Sequence, residues 1–293
     1  APRLGLVAKG DLSRMDVAVA GRLPAPTQVT LTLRGDPSTS SGGTKDAPRW
    51  QVRAKSEALD IGLLTGAESG EPMALELDAS GTGGNADLRG TFKQGDFIAT
   101  VQPSKLSLVE RKLQLQPLVV DLFDGRITAN GIADLQDPND ASLKFAVNAR
   151  GLRWTSEDGK TAIGGDADFG IAGKPQAWAL KGQARLQRGS ERATVDVSGT
   201  GNRDGMRVDA LRATMPQGRL DAVGSVAWSP VVKWQADATL AGFDPGYFTP
   251  DWPGAINGKL ASTGELRDGK GLLAHVDASK LGGQLRKRAL SGR

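Results

Sequence analysis

The chain's one histidine, His275, is the first residue that could do chemistry, and it has no company. A Ser–His–acid triad needs converging partners and a metal site needs several ligands, and neither pattern surrounds it. Cysteine is absent, which removes thiolate nucleophiles, disulfides and Cys-based metal sites. Three acid pairs, Asp166/Asp168, Asp204/Asp209 and Asp244/Asp251, have the side chains that paired-carboxylate glycoside hydrolysis requires. Each lies in alternating sequence, and a solvated outer face accounts for them better. Gly199-Thr200-Gly201-Asn202-Arg203-Asp204-Gly205 has the glycine content of a phosphate loop. It matches no nucleotide-binding spacing and leads into no helix, so it reads as a hairpin turn. Arg286-Lys287-Arg288 reads as a solvated basic end rather than a site for anionic headgroups. Trp252-Pro253-Gly254 reads as a packed corner. The residues point to no enzyme, no metal and no cofactor.

The elements that would position these residues are strands. The chain has 293 residues with 39% hydrophobic, 5% aromatic, 39 glycines and 15 prolines, which favours many short strands and turns. Alternation of period two runs throughout: Leu4/Leu6/Ala8, Met15/Val17/Val19, Val29/Leu31/Leu33, Trp50/Val52/Ala54 and onward to Leu272/Ala274/Val276. Lys, Arg, Asp, Gln and Thr occupy most intervening positions, and no apolar period of 3.6 persists beyond a turn or two. The polar stretch 36–48 reads as a mobile loop, and Leu59–Leu64 as a helical turn or corner. The formal charge of +4 comes from 37 basic and 33 acidic residues, interspersed, which gives no nucleic-acid footprint. No apolar run is long enough for a membrane-spanning helix. Without a signal peptide at Ala1-Pro2-Arg3 or a capping element at Leu290–Arg293, the sequence reads as part of something longer.

A repeat of about 92 residues organises the strands. Trp50, Leu143 and Trp234 open matching strands that end at Ala58-Leu59, Gly151-Leu152 and Gly242-Phe243, with spacings of 93 and 91. Gly81, Gly173 and Gly264 close the following strands (ALELDASG, DADFGIAG, NGKLASTG), spaced 92 and 91. Gly125–Gly131 matches Gly218–Gly224 at an offset of 93. Residues 1–293 are thus expected to form one continuous all-β repeat array. One apolar face per strand must be covered by something. A two-sheet sandwich or barrel, a solenoid closed on itself, and a long curved sheet whose apolar face lines a groove all fit. The inward residues are mostly Ala, Val, Leu and Gly, which leaves room where a sandwich core would need bulk.

Trp234-Gln235 through Leu240-Ala241-Gly242-Phe243-Asp244-Pro245-Gly246-Tyr247-Phe248, then Asp251-Trp252-Pro253-Gly254 and Gly258-Lys259-Leu260, resemble the periplasmic repeat region of the TamB family. Pro117–Val120 and Gly125–Leu135 look like units of the same family. TamB proteins are AsmA-like, inner-membrane-anchored subunits of the bacterial translocation and assembly module, similar to bridge-like lipid transfer proteins. The resemblance implies an elongated sheet folded lengthwise into a U-shaped trough, or β-taco, apolar inside and charged outside. It implies transport of phospholipid across the periplasm, with acyl chains in the trough, in the service of outer-membrane biogenesis. The residues expected to line the trough are Val29, Leu31, Leu33, Val52, Leu75, Leu77, Leu88, Ile127, Leu143, Phe145, Val147, Phe169, Ile171, Leu180, Val195, Val197, Leu220, Val226, Trp234, Leu240, Ile256 and Leu260. The partner implied is an Omp85-type, TamA-like outer-membrane barrel, bound through parts of the full-length protein outside these residues, as is the membrane anchor. An alternative is a scaffold for outer-membrane protein assembly that pairs its strand edges with client strands. A secreted β-helix acting on polysaccharide would require coils of about 20–25 residues, far shorter than the repeat.

Overall fold

The structure is a computed structural model describing residues 3–11, 14–22, 25–35, 47–60, 72–137, 141–156, 159, 161–229, 231–267 and 271–291. Most of the 36–48 stretch, and the Leu59–Leu64 corner beyond Asp60, lie outside these residues. The chain divides into unit 1, Ala1–Pro138, and unit 2, Asn139–Arg293.

Unit 1 contains β1 (Arg3–Gly10), β2 (Arg14–Arg22), β3 (Pro26–Arg34), β4 (Arg49–Leu59), β5 (Met73–Thr82), β6 (Asn85–Gln94), β7 (Phe97–Val109), β8 (Lys112–Leu122) and β9 (Gly125–Asp134). Each strand pairs antiparallel with the next, and β1 does not pair with β9 to close a barrel. Unit 2 repeats the arrangement with β10 (Ser142–Thr155), β11 (Ala162–Lys174), β12 (Ala177–Arg188), β13 (Glu191–Gly201), β14 (Gly205–Thr214), β15 (Arg219–Ala227), β16 (Lys233–Phe243), β17 (Gly254–Arg267), β18 (Gly271–Leu285) and β19 (Arg288–Ser291). It too is an open antiparallel meander. The one helical turn among the described residues is a 3₁₀ turn at Pro245–Tyr247. The fold is all-β and open, and the sandwich, barrel and solenoid alternatives fall away.

Register is pinned on the polar face by charges placed opposite one another. Arg53 faces Asp78, Lys55 faces Glu76, Lys112 faces Asp134, Asp121 faces Arg126, Arg212 faces Asp221 and Lys233 faces Glu265. Such exposed pairs contribute little to stability by themselves. Their larger effect is on pairing, since a slip of one residue would break them and turn the apolar set to solvent.

Bulges recur with the sequence repeat. The ladders slip between Ser56 and Leu59, between Ala149 and Leu152, and between Leu240 and Phe243. Gly151 and Gly242 take φ of 64° and 61° in these bulges. Their amides donate to Asp166 Oδ1 and Asn257 Oδ1, both at 2.8 Å and both fifteen residues on. A second pair of slips, Leu115/Leu118 and Val208/Leu211, is offset by 93 residues. Gly151 and Gly242, which match in the sequence repeat, therefore mark places where the strands bend.

Apart from the loop after β16, whose Tyr247 packs on Ala193 and Leu186 of that face, no second layer covers the apolar face among the described residues. The buried apolar residues are Ala133, Ala141, Ala149, Ala193, Met215, Leu240, Tyr247 and Ile256, too few and too small for a core.

Candidate functional site

The register gives the apolar face its geometry. In unit 1 one row of directly opposed residues runs Leu6, Val19, Val29, Ala54, Leu77, Gly90, Val101, Val120, Ile127 across all nine strands. In unit 2 a row runs Val147, Phe169, Gly182, Val197, Leu211, Ala222, Ala238, Leu260 across eight strands. Neither row contains a polar side chain. At about 4.8 Å per strand, they extend roughly 38 and 34 Å.

All twenty-two residues that the sequence marks as trough-lining fall on this face of their own unit. Val29, Leu31, Leu33, Val52, Leu75, Leu77, Leu88 and Ile127 share it in unit 1. The other fourteen share it in unit 2. Only Leu240 and Ile256 are buried, at 7% and 8% exposure, and the other twenty are half-buried. Side chains in this state touch their neighbours on the sheet while their tips remain open.

Two devices keep the face smooth and apolar. Large rings lie over glycines of the adjacent strand: Trp50 over Gly81, Phe169 over Gly182, Trp178 over Gly201 and Trp234 over Gly264, where an added Cβ would lie under 3 Å from the ring. A ring laid flat across a bare backbone protects the ladder without rising from the sheet. From the sequence, Gly81 and Gly264 read as strand ends and Gly201 as part of a turn. The signal that could have found their role is the Trp–Gly spacing of about thirty residues, shared by Trp50/Gly81 and Trp234/Gly264.

The second device silences hydroxyls. Thr27 and Ser56 lie opposite one another on the apolar face, their hydroxyl oxygens 2.7 Å apart. Ser104, 2% exposed, donates to the Gln102 carbonyl at 2.7 Å and accepts from the Val119 amide at 2.9 Å. It bridges the gap that Pro103 and Pro117 leave in the β7–β8 ladder. The Trp234 indole donates to Ser262 Oγ at 3.1 Å. Each of these polar atoms is bonded within the sheet.

The other face is wet and ionic. Hydrogen bonds from Arg126, then Gln102, hold the Asp121 carboxyl below its ordinary value, and the Arg150 bond, with Asn148 second, does the same for Asp168. Asp221 is lowered by Arg212 and Asp16 by Arg34.

The candidate chemical residues disperse. His275 is exposed on β18, opposite Thr263. No group of acids and histidines among the described residues could hold a metal. Asp166 and Asp168 share the polar face, but Asp166 accepts the Gly151 amide and Asp168 is engaged by Arg150 and Arg185. Asp209 pairs with Arg207 at 3.2 Å. Asp244 accepts from the amides of Gly246 and Gly254, both at 2.8 Å, closing the loop after β16. The Gly199–Gly205 stretch is a hairpin in which Asn202 Oδ1 accepts the amides of Asp204 and Gly205. Arg286 and Lys287 occupy the two positive-φ positions of the β18–β19 turn.

The corner at 244–254 packs differently from the sequence expectation. Trp252 is 45% exposed, with Arg286 5.3 Å above its ring, whereas Tyr247 is 2% exposed and carries the packing. Tyr247 lies on Ala193, Met215, Leu186 and Phe243, and the Arg188 guanidinium sits 5.2 Å from its ring. Arg188 also donates to the Gly246 carbonyl and pairs with Glu191. These contacts join residues far apart in the chain, and no local sequence pattern announces them.

An open antiparallel β-repeat with one apolar face and one ionic face defines a class of open-sheet β-repeat proteins. The family model described as TamB, N-terminal domain, matches residues 85–293, more than half of the chain. The chain belongs to the TamB family. No solved structure matches it.

Proposed function

We propose that the protein forms part of a conduit for phospholipids in the bacterial envelope, crossing the periplasm between the inner and outer membranes. Acyl chains lie on the apolar face, headgroups stay in water, and movement is diffusion along the rows without any bond made or broken. The observation that carries this reading is the unbroken apolar row in each unit, left half-exposed with no protein layer over it. An apolar surface of this extent in water is a liability unless a ligand covers it. Returning an acyl methylene to water costs about 0.8 kcal/mol, so a conduit needs a face free of polar gaps. Internally bonded Ser56, Ser104 and Ser262 meet that need. Anchoring in the inner membrane and docking to a TamA-like outer-membrane barrel belong to the same proposal and would involve segments outside these residues.

Native mass spectrometry of the detergent-free protein tests the reading. Masses corresponding to one or more bound phospholipids are expected; a lipid-free protein that also fails to take up lipid from vesicles overturns it.

A further inference from the structure

On the polar face of unit 2 a cleft of about 730 Å³ opens where β10 to β13 approach their ends. Arg153 stands opposite Gly164, Gly164 opposite Gln187, and Gln187 opposite Arg192, so one row presents an arginine at each end. The next row sets Asp166 opposite Arg185 and Arg185 opposite Thr194. Asp166 is occupied by the Gly151 amide at 2.8 Å, and Arg185 lies 3.7 Å from Asp168. Arg153 and Arg192 are exposed and have no ion pair or hydrogen bond among the described residues.

The floor of the cleft is Gly164, and the fold does not demand a glycine there. A Cβ built on it would meet the carbonyl oxygens of Leu152 at 3.6 Å and Gln187 at 3.9 Å, ordinary contacts, and its φ is not in the left-handed region. A glycine in mid-strand weakens a sheet. What it leaves is open floor in a cleft that Arg153 and Arg192 both line, with Gln187 between Gly164 and Arg192 in the row.

We propose that this cleft binds a phosphate group, held between Arg153 and Arg192 above the bare backbone of Gly164. Guanidinium forks match phosphate oxygens in bidentate, charge-assisted pairs. A phospholipid headgroup and a soluble phosphate ester present the same oxygens. The inference does not require the conduit, because the cleft lies on the opposite face of the sheet from the apolar rows.

The test is calorimetric titration with glycerol phosphate, alongside co-sedimentation with phosphatidylglycerol vesicles and with phosphatidylcholine vesicles. Saturable, salt-sensitive binding of glycerol phosphate, of anionic vesicles or of both is expected, the pattern distinguishing a soluble anion from a headgroup. The Arg153→Gln/Arg192→Gln pair is expected to weaken binding by about tenfold or more. Gly164→Val adds a side chain to the floor of the cleft at a position whose Cβ meets only ordinary contacts, and should weaken binding while leaving the circular dichroism spectrum and Tm intact. Lys144→Gln, which removes a polar-face charge elsewhere on β10, should leave binding unchanged. Absence of binding to every probe overturns the proposal. So does binding that survives both Gly164→Val and the arginine pair, or that falls equally with Lys144→Gln. Glycerol phosphate binding and its response to the arginine and Gly164 variants report on the cleft alone, whereas lipid taken up from phosphatidylcholine vesicles reports on the apolar face, so the two proposals fail separately.

Discussion

Replacing Val147 by aspartate places one carboxylate in the unit 2 row, directly opposite Phe169. An acyl chain passing that position must strip water from the carboxylate or lift away from the sheet over about one strand spacing. Lifting over ~4.8 Å returns roughly three to four methylenes to water, at about 0.8 kcal/mol each. The added barrier is about 3 kcal/mol, or roughly a 100-fold slowing of passage. The protein should stay folded, because Val147 is half-buried with no layer above it and the carboxylate can keep its water. The control is Lys144→Glu on the same strand, whose side chain is exposed on the polar face opposite Ala172. It changes charge by two units yet should leave transfer within about twofold. The assay is transfer of a fluorescent phospholipid between donor and acceptor vesicles bridged by the full-length protein, with circular dichroism confirming the fold of each variant. Equal slowing by both substitutions, or transfer unaffected by Val147→Asp, would refute the reasoning.

Four further outcomes follow from single contacts. Tyr247→Phe removes a buried hydroxyl that has no hydrogen-bond partner, so thermal unfolding should show no loss of stability and a gain of up to about 1 kcal/mol; a clear loss would mean the hydroxyl has a partner. Asp244→Ala frees the Gly246 and Gly254 amides and should cost about 1–2 kcal/mol in denaturant unfolding. Gly242→Ala forces a side chain to φ 61° and should cost about 1–2 kcal/mol in the same experiment; a neutral result would show that the bulge relaxes. Hydrogen bonds from Arg34, Arg126, Arg150 and Arg212 hold the carboxyls of Asp16, Asp121, Asp168 and Asp221 below their ordinary values in the folded chain. Their stabilisation is complete above the unfolded value and disappears as pH falls through the lowered folded values. Stability should therefore decline below about pH 4, and less steeply in Asp168→Asn, as read from Tm against pH.

Strand identity and facing were legible because period-two alternation is enforced on every strand by the same solvent contrast. Leu143/Phe145/Val147 could be assigned to one face with no knowledge of neighbouring strands. The bends were legible through glycine, since Gly151 and Gly242 mark bulges that need positive φ. The turns at Glu110-Arg111, Phe123-Asp124 and Arg286-Lys287 were not. Their six residues adopt φ between 48° and 64° without a glycine or an asparagine, so tight pairing of the flanking strands overrides local preference. The ring seats were hidden because a glycine thirty residues from a tryptophan has no meaning until the register places them side by side. Tyr247 was hidden for a related reason. It packs on Ala193 and Leu186, more than fifty residues earlier, and nothing in the local sequence separates it from the more conspicuous Trp252. The Arg153–Arg192 row likewise exists only once four strands are aligned.

The most direct test of the central claim is site-specific photocrosslinking along one strand in living cells. A photoreactive residue is placed in turn at Leu143, Lys144, Phe145, Ala146 and Val147 of β10, and lipid adducts are detected by mass spectrometry. The account predicts phospholipid adducts at Leu143, Phe145 and Val147 and none above background at Lys144 and Ala146. Adducts of equal yield on both faces, or none at the three apolar positions, would contradict it.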